Sequence, residues 1–278
     1  MANRRDRDVS DWMPAVIAVV LVVAVGAYVA RRAMQPSAGP AVASTAAAPA
    51  SAVAPSAAPH HPIAQAAAPA SASTAPLPAL DDSDASVGAA LRALGGGRLQ
   101  DLLLPQQIVN HIVATVDALP RHELGSASIL PLRTPRGAFA ASGTQVILAA
   151  DASNAERYAP YMAVVRRADS SALVAWYAHN YPLFQQAYRE LGYPKGYFND
   201  RLIAAIDDML AAPQPSQPPA LQLANGRYSY ADPALESLSV GQKLMLRLGP
   251  ANEAELKVKL RVIRSLLTAR PSPIGTAH

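Results

Sequence analysis

The chain has 278 residues, a formal net charge of +4 and no cysteine. The missing Cys excludes disulfides, thiolate metal sites and a Cys nucleophile. From residue 80 onward 19 basic residues stand against 17 acidic ones, and the tight basic clusters are Arg4, Arg5, Arg31 and Arg32, around an apolar segment, and residues 257–264. Nucleic-acid binding needs a basic face, so no nucleic-acid partner is expected.

Residues 1–11 carry Arg4, Arg5 and Arg7 and read as a cytoplasmic N-terminal tail. Trp12 to Ala30 follows, 19 residues without a charge. At 1.5 Å per residue such a helix spans roughly 28 Å, close to the hydrocarbon thickness of a bilayer. Trp12 and Tyr28 lie near its ends, where amphipathic rings favour the interface. A cleaved signal peptide is the competing reading, with Ala41-Val42-Ala43 as its cleavage site. The apolar run exceeds the usual core of about 7–15 residues and ends directly in Arg31-Arg32, which favours an uncleaved anchor. Three Arg precede the segment, two follow it, and no further Lys or Arg occurs until Arg92. The positive-inside rule then sets the N-terminus in the cytoplasm and the C-terminal domain in the periplasm. The expectation is a single-pass protein of the inner membrane, held in the lipid bilayer by residues 12–30.

Residues 31–79 read as a disordered tether. Between 33 and 79 there are 20 Ala, 9 Pro and no Asp, Glu, Lys or Arg. Such a stretch has too little apolar bulk for a core, and its prolines favour polyproline II. Its reach is ~145 Å fully extended and ~40 Å as a flexible coil. Two adjacent His at 60 and 61 in such a stretch read as lacking a metal role.

From Leu80 to about residue 270 charges return and apolar residues become periodic, as in a globular domain. Ser83 or Asp84 caps a first helix to about Leu94; Gly95-Gly96-Gly97 interrupts it, and a short helix to Leu104 follows. Pro105 starts a helix to Leu119 with Ile108, Ile112, Val116 and Leu119 on one face. Prolines and glycines break residues 120–152, where Gln145 to Ala149 reads as a short buried strand. Helices are expected at 154–169 and at 171–191, the latter burying Leu173, Trp176, Tyr177, Asn180, Phe184, Ala187, Tyr188 and Leu191. Asn199 is expected to cap a helix with Leu202, Ile203, Ile206, Met209 and Leu210 as its apolar stripe. Asn225-Gly226 suits a two-residue hairpin turn within 221–230. Asp232-Pro233 starts a helix to about Gly249. Asn252 and Glu255 have capping-box spacing for the last helix, where Leu256, Leu260, Ile263 and Leu267 face inwards. Glu253–Lys257 and Glu255–Lys259 are favourable pairs one turn apart. Residues 271–278 read as a loose tail. The fold expected is mainly α: a helical domain with one small β-hairpin and a third strand, behind a transmembrane helix and a tether.

HExxH, G-x-S-x-G, S-x-x-K and phosphate-loop motifs are absent, and the six His show no metal-ligand spacing. No cofactor and no metal are expected. The unusual stretch is 154–201, which holds seven of the ten Tyr. Tyr combines a flat apolar body with a polar tip, and interleaved amides and Arg complete what a sugar- or peptide-binding groove needs. An ordinary core of polar-tipped aromatics has the same pattern. The candidate binding residues are Arg157, Tyr158, Tyr161, Tyr181, Gln185, Gln186, Arg189, Tyr193, Asn199 and Arg201. Glu190 is a weak catalytic candidate, a general acid if burial raises its pKa. Asp200 reads as a first-turn carboxylate favoured by the helix dipole, and Asp207-Asp208 as a solvated helix face. Arg157 and Arg201 suit fixed ion pairs.

The block Pro182–Ile203 (PLFQQAYRELGYPKGYFNDRLI) resembles the signature of the domain of unknown function 3014 family. LPALDDSD at 77–84, IVATVDALPR at 112–121, RYAPY at 157–161, YADPALESLSVGQKLMLRLG at 230–249 and KVKLRVIRSLL at 257–267 fit the same pattern, so the resemblance spans about 80–268. It implies a proteobacterial protein with an N-terminal membrane anchor, and it implies no activity and no catalytic residues.

The expectation favoured is a non-catalytic envelope binding or scaffold module, with peptidoglycan or another envelope protein as partner. The alternative is a periplasmic enzyme acting on glycan or peptide with a carboxylate acid/base. A weaker third is a structural subunit of a trans-envelope assembly.

Overall fold

The structure, a computed structural model, describes residues 58–63, 77–95, 97–125, 129–136, 139–143, 148–150, 152–224 and 227–269. The apolar segment 12–30, most of the tether, the Asn225-Gly226 pair and the tail 271–278 lie outside these residues. Among the described residues no helix is long and apolar enough to cross a membrane.

A 3-10 turn at Leu80–Asp82 leads into α1 (Asp84–Gly95), followed by α2 (Gly97–Leu102) and α3 (Ile108–Ala118). Asp84 caps a different helix from the one it begins. Its carboxylate accepts the N–H groups of Gln107 (2.7 Å) and Ile108 (2.8 Å), the first donors of α3. Helix α3 therefore starts at Ile108, after Gln107 in a left-handed conformation (φ 51°), and not at Pro105.

The sheet has four antiparallel strands in the order β1 (Ala141–Gly143), β2 (Leu148–Ala150), β3 (Ala220–Ala224), β4 (Arg227–Tyr230). The expected hairpin is β3–β4, and its register pairs Ala224 with Arg227, which leaves a two-residue connection. The strand expected at 145–149 is paired from Leu148 onward, and its first three residues lie outside those described. Strand β1 carried no alternating pattern and forms by pairing with β2.

Two expected helices are each divided. Residues 152–158 form a 3-10 turn before α4 (Ala159–Arg167), because Pro160 lacks the N–H that would continue a helix through it. After Asp232, whose side chain accepts from Ala234 N–H, the short α7 (Pro233–Glu236) ends and α8 (Val240–Leu248) restarts. Ser239 restarts it with a full capping box: its hydroxyl accepts the Gln242 N–H at 3.0 Å while Gln242 reaches back to its own N–H at 3.4 Å.

Long helices make the frame: α5 (Ser170–Glu190), α6 (Phe198–Leu210) and α9 (Pro250–Thr268). Helix α5 packs on α3 and α9, and α6 packs on α3, α8 and α9. The expected inward residues of α5, α6 and α9 are buried, apart from exposed Leu191 and half-buried Leu210. The capping box expected at Asn252–Glu255 does not form. The helix begins three residues earlier, behind Gly249 at φ +81°, a conformation that favours glycine. Glu255 instead takes a forked hydrogen bond from Arg166 (2.8–3.0 Å), and its expected partner Lys259 donates to the Ala168 carbonyl. Glu253 and Lys257 do pair, at 2.8 Å, and both are buried.

Candidate functional site

The α5–α6 connection is built around Gln185. This buried amide donates to the Gly196 carbonyl (2.8 Å) and accepts from the Tyr181 hydroxyl (2.6 Å) and the Phe198 N–H (3.0 Å). It thereby ties residues 196–198 to the helix they have just left. Tyr193 stacks on Tyr188 at 4.5 Å, and Gly196 passes so close to the Tyr188 ring that a Cβ there would sit 2.9 Å from it. Phe184 stacks on Phe198 at 5.8 Å, with Tyr177 edge-on to both. Burial pushes the Tyr181 phenol up to about 12; a hydrogen bond from the Asn199 backbone acts the other way.

This packing presents the first turn of α6. Tyr197 is the N-cap and its side chain accepts no cap bond, so the capping role expected of Asn199 is corrected: it stands inside the helix, almost fully buried. Asn199 and Asp200 both turn to a segment far away in sequence. The two carboxylate oxygens of Asp200 accept the N–H groups of His60 (3.1 Å) and His61 (2.7 Å). Asn199 donates its Nδ2 to the His61 carbonyl at 2.8 Å, and its buried Oδ1 has no hydrogen-bond partner. Ile63 packs against the core. Two adjacent side chains thus read three main-chain groups of two consecutive residues. The site holds the chain's own backbone at residues 60–61, and the helix N-terminus favours the carboxylate that does so.

Beside this corner lies Asp117 of α3, almost fully buried. Arg201 Nε donates to it at 2.9 Å, Tyr193 hydroxyl at 3.3 Å, and Arg121 pairs with it from the next turn. Arg201 also donates to the Asp117 carbonyl. A forked guanidinium meeting both acceptors of one residue fixes α6 against α3. Arg201 is the fixed ion pair its type suggested.

The candidate residues fall into four groups. Tyr181, Gln185 and Asn199 meet at the corner; Tyr193 and Arg201 meet at Asp117. Gln186, Arg189 and Glu190 are exposed on the outer face of α5, where Gln186 donates to Glu190 at 2.9 Å. Glu190 is exposed, without the enclosure that a general acid would need. Tyr158 and Tyr161 are 1 % and 2 % exposed and belong to the core, so the Tyr-rich block does not form one exposed patch. Tyr161 donates to the Arg133 carbonyl at 2.7 Å, and Arg157 to that of Arg136 at 3.3 Å. Asp207 pairs with Arg264 on the surface as expected of a solvated carboxylate. Asp208 corrects that reading: it is half-buried, accepts the Ser239 hydroxyl at 2.5 Å, and joins α6 to α8. Burial raises its pKa and the Ser239 hydrogen bond lowers it.

Sequence reasoning passed over Asp117, and His60-His61 were read as inert. Their side chains are indeed not what Asp200 uses. The available signal was the adjacency of Asn199 and Asp200 at a helix start, two polar side chains where one suffices for a cap. Among the described residues no group of three or more His, Asp or Glu converges to hold a metal.

A family model described as "Protein of unknown function (DUF3014)" matches residues 108–264, more than half of the chain. No curated protein and no solved structure matches it.

Proposed function

The chain belongs to the DUF3014 family, and from that premise we propose that it is a non-catalytic binding module of the cell envelope whose working surface is the α5–α6 corner, where it holds extended peptide. Residues 12–30 anchor it in the inner membrane and the Ala/Pro tether carries the domain into the periplasm. The observation that carries the binding reading is the grip of Asn199 and Asp200 on the backbone of His60 and His61. Main-chain recognition of this kind tolerates many side chains, and the neighbouring apolar contact at Ile63 adds selectivity. A partner segment would take the same three hydrogen bonds in exchange for the tether's own.

A photoreactive residue in place of Tyr197, which is half-buried at the mouth of this corner, tests the reading in cells. The expected adduct joins the full-length chain to a second envelope protein and is lost in Asp200→Ala. Adducts confined to the chain itself, or indifferent to Asp200→Ala, overturn it. A phosphatase fused at residue 80 and active only in the cytoplasm would overturn the proposed side of the membrane.

A further inference from the structure

A cavity of about 420 Å³ opens between β3–β4, the 214–219 loop, the 3-10 turn before α4 and the α8–α9 junction. Four rings line it, from Phe139, Tyr158, Tyr228 and Tyr230, together with Leu221 and Leu246. Phe139 and Tyr228 lie 5.1 Å apart, their ring planes inclined by 51°. The rim holds Pro215, Pro218 and Pro219, whose fixed φ angles limit the conformations of the loop and reduce the ordering cost of binding. The volume is in the range of ligand sites, about 300–1,000 Å³. A dry cavity of about 150 Å³ already holds benzene, so two or three fused rings fit here.

The charges in the wall decide the class of ligand. Glu253 is 2 % exposed and pairs with Lys257 at 2.8 Å, and Lys257 also donates to the Ala212 carbonyl at 2.6 Å. Arg247 is hydrogen-bonded with the Tyr230 hydroxyl. Tyrosine phenols are neutral at physiological pH, and burial raises those of Tyr158 and Tyr230 further. An anion would enter beside the buried Glu253 carboxylate and a cation beside the Arg247 guanidinium, and Glu253 already has its partner in Lys257. Gln214, Ser216 and Gln217 stand exposed on the rim loop, where a polar end of the ligand would be met.

We propose that this cavity is a binding site for a neutral, ring-bearing amphiphile, its apolar body against the four aromatic side chains and its polar end at the 214–217 rim. It is separate from the α5–α6 corner and stands without it.

The test uses the full chain in lipid nanodiscs with 3-fluorotyrosine, so that binding is read at individual rings and not confused with partition into lipid. The probes share one bicyclic body: neutral 2-methoxynaphthalene, anionic 2-naphthoate and cationic 2-naphthylmethylammonium. The expected result is a saturable shift of the Tyr228 and Tyr230 signals with the neutral probe, at a concentration at least tenfold lower than either charged probe requires. Leu246→Trp, which narrows the cavity from α8, and Gln217→Trp, which obstructs it from the exposed rim, should each abolish the shift while the Tyr177 and Tyr188 signals stay in place. Two independent obstructions guard against one variant that fails to fold. No saturable shift, equal or tighter binding of a charged probe, or a shift that persists in both folded variants overturns the proposal.

Discussion

The α5–α6 corner and the sheet-side cavity are built from the same residue types and organised in opposite ways. At the corner the rings of Tyr177, Tyr181, Phe184, Tyr188, Tyr193 and Phe198 close onto one another, and the polar tips converge on main-chain groups: Gln185 on the 196–198 turn, Asn199 and Asp200 on residues 60–61. At the cavity the rings face an open volume, and the buried Glu253 of the wall is paired with Lys257. The comparison teaches that a Tyr-rich composition does not by itself make a contact face. What decides is whether the aromatic bodies fill one another's space or leave it open, and where the hydroxyl and carboxylate partners are.

The largest effect expected spans both regions. Tyr161 and Tyr181 are pushed to about 12 mainly by burial, and Tyr158, Tyr177, Tyr188 and Tyr230 are raised by the same cause. In the unfolded chain these phenols lose their protons near pH 10, about two units before Tyr161 and Tyr181 do in the fold. The unfolded state therefore binds fewer protons above that pH, and stability falls as pH rises. It is fully present below pH 10 and is lost through 12. Denaturant midpoints between pH 8 and 12, followed with phenolate absorbance, should fall together; midpoints that stay level would contradict the burial of these rings.

Next comes a contrast of buried charges. Lys257→Met strands Glu253 beside the cavity and should cost about 3–5 kcal/mol, and a second change, Glu253→Gln, should restore most of it. Asp117→Asn at the corner should cost less, about 2–3 kcal/mol, because Arg121 and Arg201 are half or a quarter exposed and keep water as a partner. Urea unfolding reads both; the reverse order would mean that the corner network is the drier of the two.

Gln185→Ala should cost about 2 kcal/mol, since it leaves the Phe198 N–H and the Gly196 carbonyl without their partner. Hydrogen exchange should quicken first at residues 192–198, and exchange that quickens evenly along α5 would argue against a local staple. The smallest effect on overall stability belongs to Asp200→Ala, about 1 kcal/mol or less. Its signature is local: the amides of His60 and His61 lose their protection while the cavity walls keep theirs. Protection that survives the change would remove the grip on which the binding reading depends.

Much of the frame was legible in the residues. The stripes of α5, α6 and α9 repeat at helical spacing, and the Asn-Gly pair is flanked by two alternating runs that pair as β3 and β4. Of the blocks that carried the family resemblance, those from 112 to 249 lie within the DUF3014 match over 108–264, 257–267 runs past its end, and 77–84 lies outside it. Less legible were features that depend on a partner distant in the chain. Asp84 lies at the start of its own helix yet caps α3, Asp208 joins α6 to α8, and β1 exists only beside β2. The site followed the same division. Gln185, Tyr181, Arg201 and Asn199 were visible as polar residues among aromatics, whereas Asp117 and the role of residues 60–61 were not. A Tyr in an expected helix reads alike whether its ring meets another ring, as Tyr188 meets Tyr193, or lines a cavity, as Tyr158 does.

By itself, then, the sequence determined periodicity, local caps and turn chemistry, because these depend on neighbours within about one helical turn or one hairpin. It determined that the domain is mainly helical and where its long helices run. Only the tertiary structure decided which carboxylates are solvated, which tyrosines are core and which Tyr-rich stretch encloses space. Those outcomes depend on partners up to 140 residues away, as the hydrogen bond from His60 to Asp200 shows. Burial is a property of the assembled chain, and no local pattern encodes it.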